Sequence, residues 1–475
     1  MGYNHARSFF ILLSTNVITK ICWALTLLLL LRGLGVESFG VLATLWSAAS
    51  IAAGLTDLGS GQVLLREGSR NHSLAQPLAI QAMIIQSALT CLIALILSIG
   101  AWWLVPMANL SPAQRACVIV LGILTPLVDW FQSLFTVYSQ IGGRYGVYSR
   151  IRSIRFIAVL ACLALAVAAG GKIVAVSVTY FLLTTAFALW MAKETWPLLP
   201  RPSNGSEPLP YKQLIKQGIP FLVVMTLTLA YGRIEVSTLG SFGYISIAGA
   251  YHIIYQLVLL MYSVSGMFFT VLNPRLYSHR GDRAALVSDF RETARWLSLL
   301  TWLTTPSLFI FAHPILVLIG GSGFDIYANM FRVLLLLIIL IAPASTSLNF
   351  LLPLDRLHAR VICDVVGIAM TTAGVILCCL QSHPEYTAYA AVVGYTLAAT
   401  AAHSIIHGML PGSTFALFSE YLSAASRALP STLITWFAPG PWWFRASIGA
   451  LSFCCLLLVT RHPISQHLRL RRLST

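Results

Sequence analysis

Apolar runs of about 20 residues recur from one end of the chain to the other, and a helix of that length spans a hydrocarbon core of roughly 30 Å. Hydrophobic residues make up 57% of the 475 positions and charged residues 9%. Soluble domains carry about 25% charged residues, so a soluble core of this size is excluded. The sequence therefore predicts an all-α polytopic membrane protein.

Twelve apolar segments are predicted to span the membrane, in two groups of six. They lie near 9–31, 39–61, 78–104, 116–138, 151–170 and 173–192, and then near 217–240, 247–271, 295–319, 331–353, 361–381 and 387–410. The stretch 193–216 between the groups is polar and Pro-rich, which is typical of a linker. We expect an N-terminal six-helix lobe at 1–192, a cytoplasmic linker at 193–216 and a C-terminal six-helix lobe at 217–410.

The C-terminal region is harder to interpret. The segment 413–436 is apolar but carries Glu420, Arg427 and Pro430, whereas 442–460 is a cleaner apolar run. We expect 411–475 to form a helical hairpin and a basic cytoplasmic tail, which gives fourteen spans. The alternative is twelve spans.

The net charge of +15 reflects topology and not nucleic-acid binding, because the Lys and Arg residues fall between apolar runs. Cytoplasmic loops carry an excess of Lys and Arg. With both termini in the cytoplasm of a bacterium, the cytoplasmic connections receive most of the basic residues, among them Arg66, Arg70, Arg144, Arg150, Arg152, Arg155, Lys193, Lys212, Lys216, Arg356 and Arg360. The opposite side receives Arg32, Arg115, Lys172 and Arg332.

Catalytic and cofactor signatures are lacking in the sequence. The nine cysteines lie mostly inside apolar runs without metal-ligand spacing, so we expect no metal and no cofactor. No G-x-x-x-x-G-K-[ST] sequence occurs, and no connection is long enough for a soluble nucleotide-binding domain. We expect a transporter and not an enzyme.

Lys20 lies near the middle of the first predicted span, where a lipid-facing cation costs several kcal/mol. Asn16 precedes it by one turn and Trp23 follows it by nearly one turn, so the three share one face. Such a polar face suits contact with phosphate or sugar. The alternative is a structural pairing of Lys20 with a carboxylate.

Two carboxylates in the first half are candidates for ion coupling or gating. Asp57 lies on a face of small and polar residues on the second span, together with Ser47, Ser50, Gly54 and Gly61. Small residues also let helices approach closely. Asp129 follows Pro126 in the fourth span, where a proline bend frees backbone carbonyls for polar contact. For Asp129, structural pairing is the favoured interpretation.

The seventh and eighth spans carry a second group of candidates. Arg233 and Glu235 lie two residues apart, about 200° around a helix, so they cannot pair on one face. Arg233 suits bidentate phosphate recognition, whereas Glu235 suits proton or cation coupling. A Lys20–Glu235 bridge is the structural alternative. His252 and Tyr255 offer ring surfaces for a sugar, although helix packing explains them equally well.

Three sequence pieces carry a family resemblance. The first runs from Leu31 to Arg70 and includes Leu34-Gly35, Phe39-Gly40, Asp57-Leu58-Gly59 and Arg66-Glu67. The second runs from Arg233 to Tyr251, and the third from Gly320 to Leu335. The chain resembles the polysaccharide transport family, the O-antigen and exopolysaccharide flippases of the multidrug/oligosaccharidyl-lipid/polysaccharide exporter superfamily. That family usually has Asp where this chain has Glu235.

The resemblance implies two six-helix lobes, as parallel repeats around a central cavity that opens alternately to the two sides. It implies an undecaprenyl-diphosphate-linked oligosaccharide as substrate and membrane lipid as surroundings, with a polysaccharide polymerase and a chain-length regulator as candidate partners. A multidrug or small-molecule cation antiporter of the same superfamily is the alternative. A membrane-embedded polymerase or ligase ranks last, since it would need a large extracytoplasmic loop.

Overall fold

The computed structural model describes residues 2–107, 110–142, 145–199, 209–279, 282–354 and 356–437. No strand occurs within these ranges, and the predicted all-α polytopic fold is confirmed. The helices are α1 (Gly2–Thr56), α2 (Ser60–Arg70), α3 (Ala75–Leu104), α4 (Pro112–Ile141), α5 (Tyr145–Ala168), α6 (Ile173–Thr195), α7 (Tyr211–Ala230), α8 (Ile234–Ser241), α9 (Ile245–Ser278), α10 (Arg283–Ile310), α11 (Ala312–Gly320), α12 (Ala328–Phe350), α13 (Leu357–Leu380), α14 (Thr387–Met409) and α15 (Ser413–Phe437).

Helix α1 contains a sharp break at Gly35, whose φ of 79° and ψ of 161° are not helical. Trp23 and Trp46 would lie about 35 Å apart on a straight helix. Their ring centroids are 6.1 Å apart. The two arms of α1 therefore fold back against each other, and they correspond to the first two predicted spans.

Three predicted spans differ from the observed helices. The second span ends early, because α1 stops at Thr56 and the backbone turns through Leu58 and Gly59, with φ of 48° and 72°. The seventh span is split into α7 and α8. The ninth is split into α10 and α11, which are bent by 71°. The tenth matches α12, which is bent by 43° between Leu340 and Ala342. The other predicted spans each match one helix or one arm of α1, within about seven residues at the ends.

Eight helices in the described ranges are long and apolar enough to cross a membrane, or ten if each bent pair is one span. Large apolar side chains on these helices are exposed, such as Trp103 at 80% and Leu165 at 70%. Exposure on this scale suits contact with lipid, whose tails are as apolar as the side chains. The predicted span 442–460 and the basic tail beginning at Arg461 lie outside the described residues.

The chain divides into two compact units. Unit 1 comprises Met1–Leu257 and Thr372–Thr387, and unit 2 comprises Val258–Thr371 and Ala388–Thr475. The boundary near 257 lies inside α9, whereas the predicted lobe boundary lies at 193–216. The predicted division into lobes stays a prediction, since it concerns span topology and not local packing.

Glycines let the second arm of α1 approach α7, α8 and α9 closely within unit 1. A Cβ on Gly249 would lie 2.7 Å from the backbone oxygen of Val36, and one on Gly240 would lie 2.1 Å from Thr44 Oγ1. A Cβ on Gly59 would lie 2.1 Å from the backbone oxygen of Gly218. We call this contact the glycine seam. Gly54 of the predicted small face also belongs to it, since a Cβ there would lie 2.8 Å from Thr226 Oγ1 of α7.

Unit 2 has a core of its own around Phe290 and Phe350, whose rings lie 5.1 Å apart in an edge contact. Helix α10 begins after Asp282, whose Oδ1 accepts hydrogen bonds from the amides of Ala284 and Ala285 at 3.0 Å. Such a cap satisfies amides that have no partner within the helix. His279 Nδ1 and buried Asp289 Oδ2 are 2.7 Å apart and join α9 to α10.

The glycine seam predicts that Gly249→Ala lowers the thermal stability of the protein in detergent. The added methyl group meets backbone atoms of Val36 and Gly40, which cannot move aside independently, and overpacking of this kind costs about 1–3 kcal/mol. Gly100→Ala is the matched control, because a Cβ there meets nothing within 4 Å. Gly100→Ala is expected to be neutral or slightly stabilising. Equal melting temperatures for the two variants would contradict the seam.

Candidate functional site

A cavity of about 350 Å³ lies within unit 1 and is lined on several sides by basic side chains. Helices α1, α4, α5 and α6 contribute to it, together with α7 and the residue before α8. The lining residues are Ser50, Ala53, Pro126, Asp129, Trp130, Gln132, Ser133, Thr136, Tyr148, Arg152, Arg155, Phe156, Met191, Leu229 and Arg233. We call it the basic cavity.

Arg155 is the most deeply buried cation of the basic cavity, at 4% exposure. Its Nη1 donates to Asp129 Oδ1 and, over 3.0 Å, to Gln132 Oε1. Gln132 in turn donates from Nε2 to the backbone oxygen of Thr184 at 3.3 Å. A buried charge is tolerated when it is paired and hydrogen-bonded. Asp129 therefore takes the structural pairing favoured from the sequence, and it neutralises Arg155.

Arg152 and Arg233 line this cavity without a carboxylate partner, and the exposed Lys20 lies beside the cavity. Arg152 contacts the Tyr148 hydroxyl, and its guanidinium lies 5.5 Å from the Tyr148 ring centroid. Lys20 lies close enough to Arg152 and Arg233 for their charges to repel it. In the described ranges, none of Lys20, Arg152 and Arg233 forms a salt bridge. The three lining arginines, together with Lys20 beside them, exceed the single negative charge of Asp129 by a formal charge of three.

The break between α7 and α8 places Arg233. Helix α7 ends at Ala230, and Gly232 adopts a φ of 71°, which favours glycine. The Tyr255 ring fills the space beside Gly232, where a Cβ would lie 1.7 Å from a ring carbon. Arg233 Nη1 donates to the backbone oxygen of Leu229 at 3.0 Å. The break thus frees a carbonyl that orients the guanidinium at the cavity wall.

Glu235, His252 and Tyr255 surround this break and do not line the basic cavity. Glu235 is 2% exposed and lies near the Tyr251 ring, and among the described residues neither its Oε2 nor the Tyr251 hydroxyl has a hydrogen-bond partner. The Tyr251 and Tyr255 rings stack with centroids 6.0 Å apart. His252 Nδ1 lies 3.5 Å from Ser47 Oγ. The structural alternative of a Lys20–Glu235 bridge is not observed, because no salt bridge joins these two described residues.

Asp57 lies at the end of α1 and caps α2. Its Oδ1 accepts hydrogen bonds from the Ser60 hydroxyl and the Gly61 amide, both at 2.8 Å. These bonds account for its burial, and its role in gating or ion coupling stays a prediction. Asn16 precedes Lys20 by one turn, and its backbone oxygen accepts from Thr19 Oγ1 at 3.1 Å. The assignment of Asn16 to a substrate also stays a prediction.

Two cavity residues are missing from the predicted site. Arg152 and Arg155 are assigned above to a cytoplasmic connection, and this assignment is wrong, since both lie inside α5. Their spacing of three places them on one helix face with Tyr148 and Phe156, whose rings contact the guanidinium groups. That spacing was the available signal. The count of basic residues that predicts the topology missed this helix face, because it assigns every basic residue near the end of a span to a connection.

The arrangement suits a compact dianion. Arg guanidinium groups bind phosphate in a bidentate manner, and Lys adds a mobile point charge. Partial exclusion of water strengthens such contacts. No group of three His, Cys, Asp or Glu side chains among the described residues is placed to hold a metal.

Several solved structures share this fold. The lipid II flippase MurJ in an inward closed conformation matches with a TM-score of 0.74 and 12% identity, over 95% of this chain and 98% of that one. A multidrug resistance MATE family transporter of the MOP superfamily, in an inward-facing conformation, matches with a TM-score of 0.57 and 13% identity, over 86% and 95%. A MOP superfamily transporter from Pyrococcus furiosus, described as having a binding pocket of reverse polarity, matches with 0.51 and 11%, over 86% and 95%.

No curated protein matches this chain by sequence. A family profile described as polysaccharide biosynthesis protein matches residues 5–278, which is more than half of the chain and includes all the residues of the basic cavity. The solved structures establish a transporter fold of the MurJ and MATE type. The chain is therefore a multi-pass membrane protein that belongs to the family of polysaccharide biosynthesis proteins.

Proposed function

We propose that this protein is a flippase, which moves undecaprenyl-diphosphate-linked oligosaccharide across the bacterial cytoplasmic membrane by alternating access. The observation that carries the proposal is the basic cavity, with Lys20, Arg152 and Arg233 unpaired by any described carboxylate. The product feeds O-antigen, capsule or exopolysaccharide assembly. The excess of Lys and Arg in alternate connections supports cytoplasmic termini.

The charge of the substrate matches the charge of the cavity. A lipid-linked diphosphate carries about two negative charges, and an uncompensated charge in a low-dielectric region is prohibitive. The formal excess of three positive charges at the basic cavity compensates a diphosphate and leaves room for water-mediated contacts. Asp129 lowers the excess, so the site holds the headgroup without binding it irreversibly.

The same charges disfavour the alternatives. A cationic drug would be repelled by Lys20, Arg152 and Arg233, whereas a site for organic cations needs carboxylates and aromatic faces. A membrane-embedded polymerase or ligase would need catalytic side chains on a large extracytoplasmic loop. The connections between the predicted spans are too short for one.

The proposal predicts that Lys20→Ala, Arg152→Ala and Arg233→Ala accumulate lipid-linked oligosaccharide on the cytoplasmic side. Each change removes a charge-assisted contact to phosphate, worth roughly 1.5–3 kcal/mol, or about 10- to 100-fold in affinity. The variants are expressed in cells that lack the gene. Mass spectrometry of extracted lipids measures the accumulated oligosaccharide, and surface polysaccharide is measured in parallel.

Arg332→Ala is the control for loss of a positive charge, since Arg332 belongs to unit 2 and bonds locally to Asn329 at 3.1 Å. It is expected to restore surface polysaccharide. Protein levels in the membrane are compared by immunoblot. Normal surface polysaccharide in all three cavity variants would refute the diphosphate site, and altered sensitivity to toxic cations in the gene deletion would favour the antiporter.

If protons drive transport, Glu235 and Asp57 are the predicted coupling groups. We expect Glu235→Gln or Asp57→Asn to abolish the pH dependence of oligosaccharide delivery, because an amide cannot exchange a proton in this range. The rate is measured in proteoliposomes at several pH values. Glu385→Gln is the control, since Glu385 is 3.1 Å from His383 in an exposed connection. An unchanged pH profile in both variants would remove this hypothesis.

A further inference from the structure

Unit 1 contains a second cavity, of about 540 Å³, which shares helices α1 and α6 with the basic cavity. Its lining residues are Glu37, Ser38, Val41, Pro106, Met107, Leu110, Ile173, Gly243, Tyr244, Ile245, Ser246 and Ile247. We call it the Glu37 cavity. None of its lining residues belongs to the basic cavity.

The two cavities lie in series along α1 and α6. The second arm of α1 contributes Val41 to the Glu37 cavity and Ser50 to the basic cavity. Helix α6 contributes Ile173 to the former and Met191 to the latter, and these positions are about 27 Å apart along the helix. A headgroup that moves along α6 from the basic cavity therefore reaches the Glu37 cavity.

An aromatic layer separates the cavities. Trp46 lies between Val41 and Ser50 in sequence, and it contacts Trp23 and Tyr180 with ring centroids 6.1 Å and 5.4 Å away. Trp23 also lies 6.3 Å from Tyr180. Trp46 and Tyr180 are 5% and 7% exposed. The three packed rings thus occupy positions between the two cavities along α1 and α6.

The cavities differ in charge. Glu37 is the one charged side chain among the described residues that line the second cavity. A carboxylate accepts hydrogen bonds and repels phosphate. Ser38 and Ser246 add hydroxyl groups, and Pro106 and Met107 add apolar surface. This set matches a saccharide, which presents many hydroxyl donors beside apolar C–H faces.

We propose that the Glu37 cavity is a second substrate site, which binds the saccharide part of the headgroup and excludes its diphosphate, with the Trp23–Trp46–Tyr180 layer as the barrier between the two sites. This inference rests on the proposed function. Positive charge then decreases along the substrate path from the basic cavity to the Glu37 cavity. The diphosphate binds at the basic cavity, whereas the sugar binds at the Glu37 cavity, which does not retain phosphate.

The experiment compares two cysteine variants of the full chain from which the native cysteines have been removed. Ser38→Cys reports on the Glu37 cavity and Ser133→Cys on the basic cavity, and both changes are nearly isosteric. The rate of labelling by a small water-soluble thiol reagent is measured on purified protein in detergent. The probes are inorganic pyrophosphate and the phosphate-free oligosaccharide that mild acid releases from the cells' own lipid-linked pool.

We expect the oligosaccharide to slow labelling of Ser38→Cys several-fold and pyrophosphate to leave that rate unchanged. Pyrophosphate is expected to slow labelling of Ser133→Cys several-fold. Adding Glu37→Gln to Ser38→Cys should remove the protection by oligosaccharide, while the same change beside Ser133→Cys leaves the protection by pyrophosphate intact. That second protection also shows that Glu37→Gln folds.

Each remaining outcome decides against one proposal. Protection of Ser38→Cys by pyrophosphate, or its lack of protection by oligosaccharide, overturns the second site and leaves the proposed function standing. Lack of protection of Ser133→Cys by pyrophosphate overturns the diphosphate site itself. Protection by oligosaccharide that survives Glu37→Gln shows that the carboxylate does not select the sugar, and it also overturns the inference.

Discussion

The cost of an uncompensated charge in a low-dielectric surrounding governs the organisation of unit 1. Arg155 meets this constraint internally, through Asp129 and Gln132. Lys20, Arg152 and Arg233 do not, so their compensation must come from water or from an anion that enters. A site whose cations have no internal partner binds an anion strongly, because the anion supplies the missing compensation. The pairing of Arg155 is equally necessary, since it keeps a fourth cation from adding to the repulsion.

Close backbone approach makes this arrangement possible. The glycine seam lets α1 lie against α7, α8 and α9, and this places Arg233 at the same cavity as Arg152 of α5. Small residues let helices approach closely in a membrane, where no hydrophobic force drives helices together. The break at Gly232 then turns a continuous span into two shorter helices. Irregular backbone at such depth is tolerated where it lines a cavity.

The sequence was sufficient for the all-helical fold and for most span positions, because apolar runs of membrane length leave few alternatives. It was also sufficient to single out Lys20 and Arg233, since ionisable residues in a span are rare. The breaks at Gly232 and Phe311 could not be predicted, because each depends on what packs beside it, as Tyr255 does at Gly232. Arg152 and Arg155 were misassigned for a different reason. The predicted span 151–170 already contains both positions, but the count of basic residues assigned them to the connection before it.

Ion pairs between different helices could not be predicted from the sequence either. Sequence spacing shows that Arg233 and Glu235 point apart, but it does not show that Asp129 would find Arg155 on another helix. Such pairs depend on distances between elements, which a single sequence does not encode. The alternative of a Lys20–Glu235 bridge is not seen for the same reason, since Glu235 is buried near Tyr251 and does not line the basic cavity.

The break at Gly35 has a consequence for how this chain can vary. Both arms of α1 start from this one residue, so positions equally far from it along the chain lie at similar depth, as the contact of Trp23 with Trp46 shows. One residue added to either arm would turn every side chain beyond it by about 100° and shift it by about 1.5 Å. Lys20 would then leave the level of Ser50, and the aromatic rings would no longer meet. The number of residues between Lys20 and Ser50 is therefore fixed, so this stretch tolerates substitutions but not insertions or deletions.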